Sequence, residues 1–288
     1  RDVLGSRGLG DVYKRQYLYI ISKNGRLTMP ASYTHQQFGN QVLNKLENTT
    51  IKKIINDNLN LYNIGLQGPD ILFFYQPLKK NPVNTLGNQL HQDIARAFFE
   101  NAMKLLKEQP NEKSLAYILG FINHFILDSE CHGYIDKTMI NREIGHFEIE
   151  RDLDQRFMIL NHESFNYSTP KHYQINLENA KIIAPFFNLA PATILASLKS
   201  FKRFNHLFAC RSVLKRSLIL TGMKIVNAKS YCGMVMTAKP EKRIEENIDI
   251  LVNLFNQSIN IATKEIIEYY YSYQNNTAIS KRFNYNYE

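Results

Sequence analysis

Apolar residues return every three or four positions along almost the whole of this 288-residue chain. That is the period of an α-helix, and the strict alternation of a half-buried strand is scarce. The pattern predicts helices over residues 30–46, 51–62, 91–108, 111–128, 139–160, 178–187, 190–208, 214–231 and 244–273. Phe38, Val42 and Leu46 should form the buried face of the first, with Ser32 or Thr34 as its cap. Ile94, Phe98, Leu105 and Leu106 are core positions in the third. Gly65, Gly68 and Pro69 impose a loop, residues 79–87 read as a polar connection, and residues 161–173 as a second loop. Asp70 leaves the first loop just before an apolar run, the usual place of a helix cap. The tail from Gln274 is expected to fray. The fold class that follows is all-α, a single-domain multi-helix bundle over residues 29–288.

Residues 1–28 do not share the pattern and read as a non-native or disordered leader, with translation expected to start at Met29. On that start the protein is cytoplasmic; with a lost upstream signal peptide it would be secreted.

Within the helical pattern, residues 119–150 stand apart. His124, Asp128 and His132 follow one another at four-residue steps, and His146 and Glu150 repeat the step. Side chains four apart share one face of a helix, so the first three form a column of imidazole, carboxylate and imidazole. Phe125, Ile126, Leu127, Ile144, Phe147 and Ile149 surround them, which turns the polar groups inward. A buried carboxylate among imidazoles is costly without a partner, and both groups are zinc ligand types. The alternative is a buried polar network with no metal. Arg151, Asp152, Asp154 and Arg156, later in the same run, are expected to form a solvated face.

Composition narrows the picture slightly. Hydrophobic residues make up 44 %, enough for a large core, and no apolar run is long enough to cross a membrane. The net charge of +9 suits an anionic partner such as a phosphate ester, a lipid surface or nucleic acid, and equally an ordinary basic protein. The segment from Leu198 to Phe204 mixes bases with aromatics in the manner of a snorkelling amphipathic helix. Cys131, Cys210 and Cys232 are too few for a disulfide scaffold. Cys131 sits beside His132, as a buried thiol or as an extra ligand. His162 and His172 fall in a loop and are expected to be exposed.

The order His35, Asp70, His91, then His124, Asp128 and His132, then His146 and Glu150 resembles the zinc-dependent phospholipase C family, from about residue 29 to 150. That family shares its helical frame with single-strand-specific zinc nucleases. The resemblance implies an internal trizinc-type cluster site. Asp70, His91, His124 and Asp128 would hold one zinc; His132, His146 and Glu150 a second; His35, with Asp128 as bridge, a third. Asp70 would also be the general base. Secreted members complete the third site with an amino-terminal tryptophan; this chain has none, and a free Pro30 amine is the candidate replacement. The step from Asp128 to His132 is shorter than in the family pattern. The activity implied is that of a hydrolase of phosphoric diesters, cleaving a phospholipid to diacylglycerol and a phosphorylated head group and making membrane-surface contact. The alternatives are a nuclease on the same frame, which would make nucleic acid the partner, and a zinc-binding protein with little turnover. No protein partner is expected.

Overall fold

The computed structural model describes residues 32–142, 144–240, 242 and 245–287. The expected leader, the start at Met29 and the Pro30 amine lie outside these residues. The described residues are helical with no strand among them, as the apolar period predicts.

The fold is arranged around α6, Glu112–Arg142; its elements up to that point are α1 (Ser32–Lys45), α2 (Thr49–Asp57), α3 (Leu59–Gly65), α4 (Pro82–Gln92) and α5 (Arg96–Glu108). Every residue of α6 from Leu115 to Asp128 is buried. A helix apolar on all sides must be wrapped by others, and α6 is. On one flank α3 comes unusually near: a Cβ on Gly65 would meet the Tyr117 carbonyl at 2.1 Å, and one on Gly120 the Tyr62 carbonyl at 2.1 Å. Along another flank runs α11 (Glu245–Asn275), where Phe255 packs edge-on against Phe38 of α1. The remaining elements are α7 (His146–Leu160), α8 (Leu177–Ile183), α9 (Pro191–Phe208) and α10 (Val213–Ile225). Phe208, Cys210, Met223, Ala228 and Val235 form a small satellite core under α10.

Several predicted boundaries move, each for a local reason. The run predicted over 51–62 is two helices, broken at Asn58, whose backbone is neither helical nor extended. The loop after Gly65 is a fully buried 3₁₀ turn, Gly68–Phe74, in which Asp70 is an interior residue and not a cap. Two thirds of the polar connection at 79–87, from Pro82 on, is helix. Asn81 caps α4 through the amides of Val83 and Asn84, and Pro82 takes the first helical position, where no amide is needed. His91 therefore ends α4 and does not begin α5. Ile94, in the short break between them, is exposed instead of core. The long run from 111 stays helical to Arg142, and α7 starts afresh after Gly145, whose amide is held by Glu148 at 3.0 Å.

Two expectations of exposure fail. Arg151, Asp152 and Asp154 are buried, because α7 is covered by α1 and by the 229–237 segment. Arg151 pairs with Asp152 at 2.7 Å and reaches the Gly233 carbonyl. The tail does not fray. After α11 it folds back over α6, burying Phe283 and Tyr287, and Arg282 binds Glu130 at 2.6 Å. His162 and His172 are exposed, and Phe73 and Phe74 pack in the core.

Candidate metal centre

Five elements bring eight side chains to one place. From α6 come His124, Asp128 and His132, one above another; from α7 come His146 and Glu150. His35 lies in the first turn of α1, Asp70 in the 3₁₀ turn, and His91 at the end of α4. All are buried except His146, which is partly exposed and marks the end of the cluster nearest solvent. Beside that end is a cavity of about 50 Å³ lined in part by Phe147, Glu150, Arg151 and Asp154.

Each position has a visible cause. Asp154 accepts hydrogen bonds from the backbone of Tyr33 and Thr34 and from the Thr34 hydroxyl, at 3.3, 2.8 and 2.7 Å. This ties the first amides of α1, which have no intrahelical partner, to α7, and so fixes His35. Burial pushes the Asp154 carboxyl up to about 7 against the effect of those bonds. Gly68 has φ +51°, and a Cβ there would lie 2.2 Å from the His124 ring. Only glycine lets the 3₁₀ turn adopt this backbone and pass so close to the imidazole. The Nδ1 of His91 bonds the Gly87 carbonyl at 2.8 Å, and that of His124 the Leu66 carbonyl at 3.2 Å.

Those backbone bonds decide the chemistry. A carbonyl can only accept, so both Nδ1 atoms carry protons, and each neutral ring turns an Nε2 lone pair to the centre. There the lone pairs meet carboxylates. His91 Nε2 lies 2.9 Å from Asp70 Oδ1, and His124 Nε2 lies 2.9 Å from Asp128 Oδ2 and 3.8 Å from Asp70 Oδ2. His35 Nε2 is 3.3 Å from Asp128 Oδ1, and its ring stacks on His124 at 4.3 Å. His132 Nε2 stands between two acids, 3.7 Å from Asp128 and 3.8 Å from Glu150, while His146 Nε2 approaches Glu150 to 2.9 Å. Despite these distances, Nε2 of His91 and of His124, Oδ1 of Asp70 and Oε2 of Glu150 are buried without an aligned hydrogen bond.

Acceptor facing acceptor in a buried site is repulsive unless protons or a cation intervene. Without a metal, protons take that role. Burial alone would push the imidazoles down, but facing carboxylates outweigh it: Asp128 raises His35, Asp70 raises His91, and Asp128 with Glu150 lifts His132 to about 9. In return, and again against burial, His124, His132 and His35 hold Asp128 well below the usual carboxylate range, and His146 lowers Glu150.

The residues fit a metal. Three groups have ligand atoms within 4.8 Å of one another: His35, His124 and Asp128; Asp70, His91 and His124; and His132, His146 and Glu150. Ligands at 2.0–2.1 Å on a tetrahedral zinc stand about 3.3 Å apart, within the range of separations here. The grouping differs in two respects from that implied by the resemblance: His124 falls in both of the first two groups, with a single Nε2 to offer, and Asp128, the expected bridge, falls only in the group with His35. Cys131, the possible extra ligand, is a buried thiol, pushed up by burial and outside these groups.

Some residues that shape the site escaped the sequence reading. Tyr287 places its ring 5.1 Å from His91 and 5.9 Å from His124 and donates its backbone amide to the His91 carbonyl. Three aromatics within five residues, Phe283, Tyr285 and Tyr287, were the available signal that this segment packs against something. Asp154 gave no signal beyond its charge.

A family model described as zinc dependent phospholipase C matches residues 34–200, which includes all eight side chains of the cluster and ends about halfway along α9. Neither the curated proteins nor the solved structures searched contain a match to the chain.

Proposed function

The chain belongs to the zinc-dependent phospholipase C family, and from that membership we propose that it is a phosphodiesterase hydrolysing a phospholipid to diacylglycerol and a phosphorylated head group. The observation that carries the reading is the set of buried, unpartnered Nε2 and carboxylate oxygens that face one another across the cluster. In this reading Asp70, His91, His124, Asp128 and His35 hold one or two zinc ions, and His132, His146 and Glu150 hold another. Zinc bound there supplies Lewis acidity, activating water and offsetting charge on the phosphoryl and leaving oxygens.

The protein's own groups do the rest. Asp128 turns one oxygen to His35 and the other to His124, so it would hold zinc together with these two imidazoles. Asp70 faces His91 with one oxygen and His124 with the other; it positions the attacking water and takes its proton as the bond to phosphorus forms. The phosphate enters at the His146 end, the least buried part of the cluster, beside the cavity at Glu150.

The discriminating variant is Asp70→Asn, assayed for zinc content and for release of a phosphorylated head group. We expect zinc to persist at the His132, His146 and Glu150 group while turnover falls by roughly a hundredfold or more, the scale of a lost general base. Full turnover by Asp70→Asn on every phosphodiester tried would contradict the proposal. Release of nucleotides from single-stranded nucleic acid, with none from phospholipid, would favour the nuclease alternative.

A further inference from the structure

The family match ends in α9, yet the chain's charge is concentrated around and beyond that point. Between Glu178 and Glu241 there is no acidic residue and there are ten lysines and arginines, one more than the whole net charge of +9. Helix α10 lies in the middle of this stretch and buries only Met223. Ile219 and Leu220 pack against the satellite core, but other apolar residues are turned outward: Leu214 is 72 % exposed, Leu218 66 % and Ile225 79 %. Positions 214, 218 and 225 fall on one face of an α-helix. Single exposed leucines are ordinary, but a continuous stripe of them is not. Lys215 and Lys224 flank this stripe, one on either side.

Beneath α10 lies an apolar groove of about 320 Å³, bounded by Leu78, Phe204, Leu207, Leu218, Met223 and Tyr231. Tyr231 links the groove to the metal cluster. Its ring stacks on Phe147 at 6.2 Å, and Phe147 is the neighbour of His146.

We propose that α10 is the membrane-docking element of this protein, lying in the plane of an anionic phospholipid surface with Leu214, Leu218 and Ile225 inserted and the flanking bases on the lipid phosphates. An apolar stripe bordered by lysine and arginine is the form of an interfacial helix. A second copy of the chain is the poorer occupant, because two such faces would bring like charges together. Docking in this way presents the groove, and behind it the His146 end of the cluster, to the lipid layer. The inference complements the hydrolase reading but is tested without it.

The test is sedimentation of the whole protein with vesicles of phosphatidylcholine alone and with about 30 % phosphatidylglycerol, beside turnover of a monomeric short-chain phosphatidylcholine. Wild type should bind the anionic vesicles and lose affinity as salt rises. Replacing Lys215 and Lys224 by glutamine should cost about fivefold per charge. The triple variant Leu214→Asp, Leu218→Asp, Ile225→Asp should lose vesicle binding by more than tenfold while keeping its zinc and its turnover of the monomeric substrate. Its exposed positions make loss of fold unexpected, and retained zinc checks that. Docking is overturned if the triple variant binds as wild type does, if wild type ignores anionic vesicles, or if wild type is a dimer that the variant splits. Binding to vesicles with no hydrolysis of any phospholipid would support docking and count against the hydrolase reading alone.

Discussion

At the scale of single residues, the column of His124, Asp128 and His132 was legible because one helix carries it. Four-residue steps place side chains together whatever the rest of the fold does. His35, Asp70 and His91 sit on three separate elements, and no local period relates them. Only the resemblance to a family brought those three into the set, and the structure places them within reach of Asp128 or of His124. A charge on a helix is usually solvated, which predicts exposure for Asp154; instead it is buried as the partner of the first amides of α1. The sequence pattern marks Gly68 only as a loop former. Its positive φ and its approach to His124 make it a requirement of the site. Gly68→Ala should therefore unseat the imidazole or the turn, costing about 1–3 kcal/mol in backbone strain alone and more from the clash. A thermal melt checks this, with loss of zinc in parallel; an unchanged melt and full zinc content would contradict the assignment.

At the scale of elements, helix existence was readable and helix ends were not. The Asn81–Pro82 pair looked like loop punctuation, yet the same two residues are a cap and a first helical position. The segment after α11 is polar and lacks helical period, which predicts a fraying tail. Period says nothing about extended chain laid over a finished bundle. Phe283 is fully buried against Phe99, Phe125 and Tyr269, with the nearest ring 4.3 Å away. Phe283→Ala should cost about 3–5 kcal/mol, the range for removing a buried aromatic ring. Tyr287→Phe, by contrast, should leave the stability of the metal-free protein almost unchanged, because its buried hydroxyl has no hydrogen-bond partner to lose. Denaturant unfolding of the two variants separates a packed strap from a loose one: equal, negligible losses would mean the segment contributes little.

At the scale of the whole molecule, the cluster couples stability to protons and to metal. His132 rises from its ordinary 6.5 to about 9 in the metal-free fold. A raised folded-state value gives stability that is present in full below about pH 6.5 and lost as pH climbs through 9, on the order of 3 kcal/mol for this group. The chelated protein should therefore weaken from pH 6.5 to 9. Zinc binds the deprotonated rings, so its affinity should increase over the same interval. The gap between melting temperatures with and without zinc is expected to widen with pH; a constant gap would mean the imidazoles are not the ligands. All-α architecture was evident from the apolar period, because helices around one buried helix repeat the same signal many times. The buried side of α7 was not, because it is made by distant segments, α1 and residues 229–237.

The account turns on the cluster holding zinc, and anomalous X-ray scattering at the zinc edge from crystals of zinc-supplied protein tests that most directly. The predicted result is more than one peak, with one at His132, His146 and Glu150 and at least one among His35, Asp70, His91, His124 and Asp128; any pair bridged by Asp128 should be about 3.5–4 Å apart. A map with no peak inside the cluster, its imidazoles and carboxylates joined only by protons, would contradict it.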